Sequence, residues 1–93
     1  MSDLKLRKED LAEVNPNALL VNGLDEALIG FGHQYNSAPV AIYDYDKCID
    51  IFMRDNDWDY EHAMEWMQFN VVGAYMGKGT PIFITVFSGA EEE

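Results

Sequence analysis

The 93-residue sequence predicts an α+β domain: a three-stranded, mostly antiparallel sheet with two helices on one face, in the order β-β-α-α-β. Two apolar, β-branched runs bounded by turn residues, Val40–Tyr43 and Ile82–Phe87, have the character of strands. Between them lie two stretches with apolar residues at three- and four-residue spacing, the first opened by an aspartate able to cap a helix and the second by acidic residues that suit a helix start. A hydrophobic content of 48% and an aromatic content of 13% suffice for one packed core, and are too high for a disordered acidic segment despite the net charge of −11.

Residues 1–17 hold Lys5, Arg7 and Lys8, half of the basic residues, mixed with Asp3, Glu9, Asp10 and Glu13. They read as a flexible or loosely docked arm, with a short helix from Lys8 to Val14 stopped at Asn15-Pro16-Asn17, since proline disfavours helix in the residue before it. The domain proper is expected over residues 18–88, and residues 89–93 form an acidic tail. Asn22-Gly23 is a turn dipeptide that tolerates positive φ. From Leu24 to Tyr35 the pattern is ambiguous, but Gly30 and Gly32 make a helix costly and favour a strand with Phe31, His33 and Tyr35 on one face. Asn36-Ser37-Ala38-Pro39 is the loop that joins it to Val40–Tyr43 as a hairpin.

Asp44 is placed to cap the next helix, with Tyr45, Cys48, Ile49 and Phe52 on its apolar face and Lys47, Asp50 and Arg54 on the solvent side. Asp55-Asn56-Asp57-Trp58 ends it, and Asp59 and Glu61 supply negative charge to the first turn of another helix. There Tyr60, Ala63, Met67, Val71 and Ala74 form one stripe, while Trp66, Phe69, Val72 and Met76 spread apolar surface round the cylinder, which predicts burial on a second side and hence self-association. Gly73 costs this helix about 1 kcal/mol relative to alanine unless a neighbouring backbone packs against it. Gly77-Lys78-Gly79 terminates it with a left-handed cap, and Pro81 enforces the exit into the last strand.

Charge narrows the function. From Leu20 onward there are 13 acidic side chains against Lys47, Arg54 and Lys78, and seven of the acids fall between Asp44 and Glu61. Such a surface repels phosphate backbones and anionic lipid and attracts basic proteins, so neither direct nucleic-acid binding nor membrane binding is expected. The single Cys48 excludes an internal disulfide and reads as a buried thiol in a reducing, cytoplasmic setting. Neither a signal peptide nor a run approaching the roughly 18 uncharged residues of a membrane span is present.

Chemistry has little to start from. Asp55-Asn56-Asp57-Trp58-Asp59 spaces carboxylates as the first half of a calcium loop does, but Tyr60 and Trp66 stand where an EF-hand needs glycine and a chelating glutamate. His62 and Glu65, three apart, fit side-chain pairing on a helix surface better than a metal-binding helix. The serines sit in tails or a loop without a nucleophile elbow, and neither glycine pair has a nucleotide fingerprint. No cofactor, metal or catalytic residue is assigned, and the chain is expected not to be an enzyme.

The run Gly23-x-x-x-Ala27-Leu28-Ile29-Gly30, then Tyr43-Asp44-Tyr45-Asp46-Lys47, Glu61-x-Ala63-x-Glu65, Phe69-Asn70-Val71-x-Gly73-Ala74-Tyr75-x-Gly77 and Thr80-Pro81-Ile82-Phe83, covering about residues 18 to 84, resembles small acidic proteins encoded by bacteriophages and prophages. The resemblance implies a viral accessory protein acting inside a bacterium. It brings no functional residues with it.

The leading expectation is a homo-oligomeric binding protein that inhibits a basic, nucleic-acid-handling host protein, such as a defence or DNA-processing enzyme. Asp50, Asp55, Asp57, Asp59, Glu61 and Glu65 would supply the field, and an exposed Trp58 the apolar anchor. The plainer alternative is that these carboxylates keep a small protein soluble. A second reading is an oligomer that sequesters a small ligand such as a nucleotide signal, in a pocket between subunits around His33, Tyr35 and Lys78. A third is a metal-dependent enzyme using the Asp55 to Asp59 carboxylates.

Overall fold

The structure, a computed structural model, describes residues 2–73 and 77–87, with side chains in the first helix from Lys8 onward. The chain is α+β. Helix α1 (Ser2–Val14) leads through a turn and a 3₁₀ turn (Asp25–Ala27) to β1 (Leu28–Gly32) and β2 (Val40–Asp44). Helices α2 (Tyr45–Asn56) and α3 (Tyr60–Trp66) follow, then a π-helical segment (Met67–Val72) and β3 (Ile82–Ile84). The expected order β-β-α-α-β is present, with α1 in front of it. The tail and the stripe positions Ala74 and Met76 lie outside the described residues.

The strands form one sheet in the order β1-β2-β3. β1 and β2 pair antiparallel, with Gly32 opposite Val40, Phe31 opposite Ala41 and an irregularity between Leu28 and Gly30. β3, however, runs parallel to β2, Ile42 opposite Ile82 and Asp44 opposite Ile84, which corrects the mostly antiparallel expectation to a mixed sheet. The two helices and the π-helical segment together act as a long crossover that returns the chain to the end at which β2 began, the kind of connection a parallel pair requires. β3 is also shorter than Ile82–Phe87. Its partner strand ends at Asp44 and turns directly into α2, so residues beyond Ile84 have no ladder to join.

The expected strand over Leu24–Tyr35 contracts for a similar reason. Leu24–Ala27 is taken up by the 3₁₀ turn, and pairing stops at Gly32, so His33 and Tyr35 lie in a loop rather than sharing a strand face with Phe31. In that loop Ser37 N–H donates to the Gln34 carbonyl at 3.0 Å and Asn36 takes a left-handed φ of 65°. The turn at Asn22-Gly23 is as the dipeptide suggests, with Gly23 at φ 87°.

Buried residues of β2, including Ala41 and Tyr43, form the centre of the core with Leu24, Leu28, Ile49 and Met67. Tyr43 is wholly buried; its ring stacks on Phe83 at 5.5 Å, and its hydroxyl accepts from the Val21 N–H at 2.9 Å. Burial raises its pKa, an effect the Val21 hydrogen bond partly offsets. Leu11, inside the segment read as a loosely docked arm, is a member of this core, and Lys8 pairs with Asp25 at 2.7 Å. Helix α2 lies against β2 and the 3₁₀ turn, and α3 packs on α2. Cys48 and Ile49 are buried on the anticipated face of α2, and Ile51 joins them.

Candidate functional site

Two regions collect the residues singled out in the sequence. The first is the elbow between α2 and α3. Asp44 caps α2 by accepting from Lys47 N–H at 3.3 Å, and Asp59 caps α3 by accepting from His62 N–H at 2.9 Å. Asp57 closes α2 in the left-handed conformation at φ 57°, and the Trp58 N–H donates back to the Met53 carbonyl. The spaced carboxylates of Asp55-Asn56-Asp57-Trp58-Asp59 therefore stand at a helix end, a C-cap and an N-cap. Among the described residues, no group of three His, Cys, Asp or Glu side chains is placed to hold a metal ion.

All six carboxylates assigned to the elbow are exposed. Arg54 pairs with Asp55 at 2.9 Å and reaches Glu26 of the 3₁₀ turn at 2.9 Å, and these two carboxylates, Asp55 foremost, raise the guanidinium pKa. Among the described residues, Asp50, Asp57, Asp59, Glu61 and Glu65 form no ion pair. The expected pairing of His62 with Glu65 is thus not made. His62 instead stacks on Trp58, ring centroids 4.0 Å apart.

Trp58 is not the exposed anchor that the sequence suggested. It is half-buried against the core, and beyond its contact with His62 its ring lies 6.4 Å from Phe52 and 5.4 Å from Trp66. The aromatic surface that does face outward here belongs to Tyr60 (52% exposed) and Trp66 (42% exposed) of α3 and to Phe69 (81% exposed) of the π-helical segment. Periodicity had separated Trp66, Phe69 and Val72 from the core stripe. It could not show that Trp66 lies beside Trp58, because that contact depends on how tightly the three-residue elbow folds.

The π-helical segment shapes this surface. The Gly73 N–H donates to the Gln68 carbonyl five residues back at 3.1 Å, and a Cβ on Gly73 would stand 2.8 Å from that oxygen. Glycine is therefore matched to the wide turn, and the neighbouring backbone anticipated at Gly73 is the segment's own. Gln68 fastens the segment to α2 by donating from Nε2 to the Tyr45 hydroxyl at 2.9 Å.

The second region is an open groove of about 680 Å³ between the β1–β2 loop, the end of α1 and the Gly77–Thr80 turn. His33 and Lys78 both line it, within a single chain, whereas Tyr35 does not and stands 91% exposed. Asn15, read in the sequence only as part of a helix stop, is buried here. Its Nδ2 donates to the Pro39 carbonyl at 2.7 Å and its Oδ1 accepts from the Asn17 N–H at 3.1 Å. The Leu19 N–H donates to the Gly79 carbonyl at 3.0 Å, so the Gly77–Thr80 turn is tied to the stretch that follows α1. Gly77 has φ 97°, as a left-handed position requires. Gly79 is needed for a different reason, because a Cβ there would meet the Asn17 carbonyl oxygen at 2.5 Å.

Compared with protein-family models, curated proteins and solved structures, the chain matches none. Function must therefore be read from these two surfaces. Among the described residues, no helix is long and apolar enough to cross a membrane.

Proposed function

We propose that this protein is a non-catalytic binding protein that docks its acidic, aromatic elbow onto a basic surface of another protein, of the kind that holds nucleic acid, and inhibits it by covering that surface. The supporting observation is the juxtaposition on α3 and its flanks: exposed Trp66 and Phe69 stand among the carboxylates of Asp57, Asp59, Glu61 and Glu65, none of them in an ion pair among the described residues. Carboxylates without cation partners keep their field available for steering, and large rings supply the contact area that charge alone does not. The anchor role passes from Trp58 to Trp66 and Phe69. The resemblance of the sequence to phage-encoded proteins implies a partner inside a bacterium, such as a defence or DNA-processing enzyme with a basic surface.

The test is affinity capture from bacterial lysate with the wild type, with Glu61→Gln/Glu65→Gln and with Phe69→Ser. The expected result is a basic protein retained by the wild type, lost with either variant, and released by added duplex DNA or RNA that competes for the same surface. Retention indifferent to both variants would contradict the reading. So would sedimentation showing a wild-type dimer that Phe69→Ser makes monomeric, because a second copy would then occupy the face.

A further inference from the structure

The groove beside Lys78 differs in chemistry from the rest of the molecule. The chain has 17 acidic side chains, yet among the described residues not one that lines this groove is acidic. Its polar lining includes Lys78, His33, the hydroxyl residues Ser37 and Thr80, and the carboxamides of Asn17, Gln34 and Asn36. Among the described residues, Lys78 forms no ion pair, unlike Lys8 and Arg54. The volume falls within the roughly 300–1,000 Å³ usual for small-molecule sites. Its walls come from three separate stretches of chain held together by Asn15, by the Leu19–Gly79 hydrogen bond and by the close approach of Gly79 to Asn17, so the shape is built by the fold.

We propose that this groove binds a small phosphorylated ligand of about nucleotide size, with the phosphate at Lys78 and the Gly77–Gly79 turn and the remainder against the carboxamides. A lysine supplies charge without a fixed geometry, and carboxamides both donate and accept, which suits a sugar or base. The absence of lining carboxylates matters most, since an anion must enter against a net charge of −11 and is admitted only where the near field is not repulsive. The site shares no residue with the acidic elbow, so either assignment can fail without the other.

Titration of the ¹⁵N-labelled full chain with inorganic phosphate, the four ribonucleoside monophosphates and the corresponding nucleosides tests the site. Expected are saturable shifts confined to residues 15–17, 33–38 and 77–80 for at least one monophosphate, with the matching nucleoside at least about tenfold weaker. Lys78→Ala, a change at an exposed side chain, should weaken the monophosphate about tenfold while Glu61→Gln/Glu65→Gln leaves it unchanged. The proposal is overturned if no probe saturates at millimolar concentration, if shifts spread over the surface, if nucleoside and nucleotide bind alike, or if Lys78→Ala binds as the wild type does.

Discussion

Cys48 is wholly buried in α2, and burial, with a smaller contribution from the Asp44 carboxylate, pushes its thiol up from 9.0 to about 12. The folded state therefore keeps a proton that the unfolded chain releases near pH 9. Stability from this site is complete below that pH and is lost as pH rises from about 9 towards 12. Denaturant melts at neutral pH and near pH 10 should show a steeper alkaline loss for the wild type than for Cys48→Ala, and a thiol reagent should react only as fast as the native protein unfolds. Gly79 gives a second residue-level expectation. Alanine there places Cβ against a backbone oxygen, which cannot rotate away, and should destabilise by about 1–3 kcal/mol. Gly30→Ala, with nothing within 4 Å, serves as the control in the same melts.

At the scale of elements, Gly73 distinguishes a π-helical turn from an ordinary one. In an α-helix, Gly→Ala stabilises by about 1 kcal/mol, whereas here the new Cβ would sit 2.8 Å from the Gln68 oxygen, so Gly73→Ala is expected to lower stability by about that amount. A gain in both stability and circular-dichroism helicity would mean that the segment is α-helical. The elements set by local chemistry were legible in sequence: the Asp44 cap, the acidic start of α3, the Asn22-Gly23 turn, and the Cys48 and Ile49 face of α2 are decided by residues within one or two turns of each other. Strand polarity was not. Whether β3 runs with or against β2 depends on where a long crossover delivers the chain, and Ile82-Phe83-Ile84 reads the same in both directions. The π-helical turn was likewise invisible, because Met67 and Val71 hold α-helical spacing. In the candidate sites the sequence grouped His33, Tyr35 and Lys78 around a pocket between subunits, whereas His33 and Lys78 line a groove within one chain without Tyr35, and it missed Asn15, whose place there rests on a bond to Pro39, 24 residues away.

For the whole molecule, charge acts on folding and on docking with opposite signs. A net charge of −11 opposes compaction, and among the described residues the half-buried Lys8–Asp25 pair and the exposed Arg54 pairs relieve little of it. Added salt screens that repulsion and should raise the thermal midpoint, while it should weaken attachment to a basic partner. Glu61→Gln/Glu65→Gln touches neither the core nor a cap, so its stability should stay within about 0.5 kcal/mol of wild type even as docking weakens. The most direct measurement is the ionic-strength dependence of the association constant for the captured partner, taken for wild type and for this double variant. A steep fall with salt for the wild type and a shallower one for the variant are expected. Parallel slopes, or affinity that rises with salt in both, would contradict the docking role of the elbow.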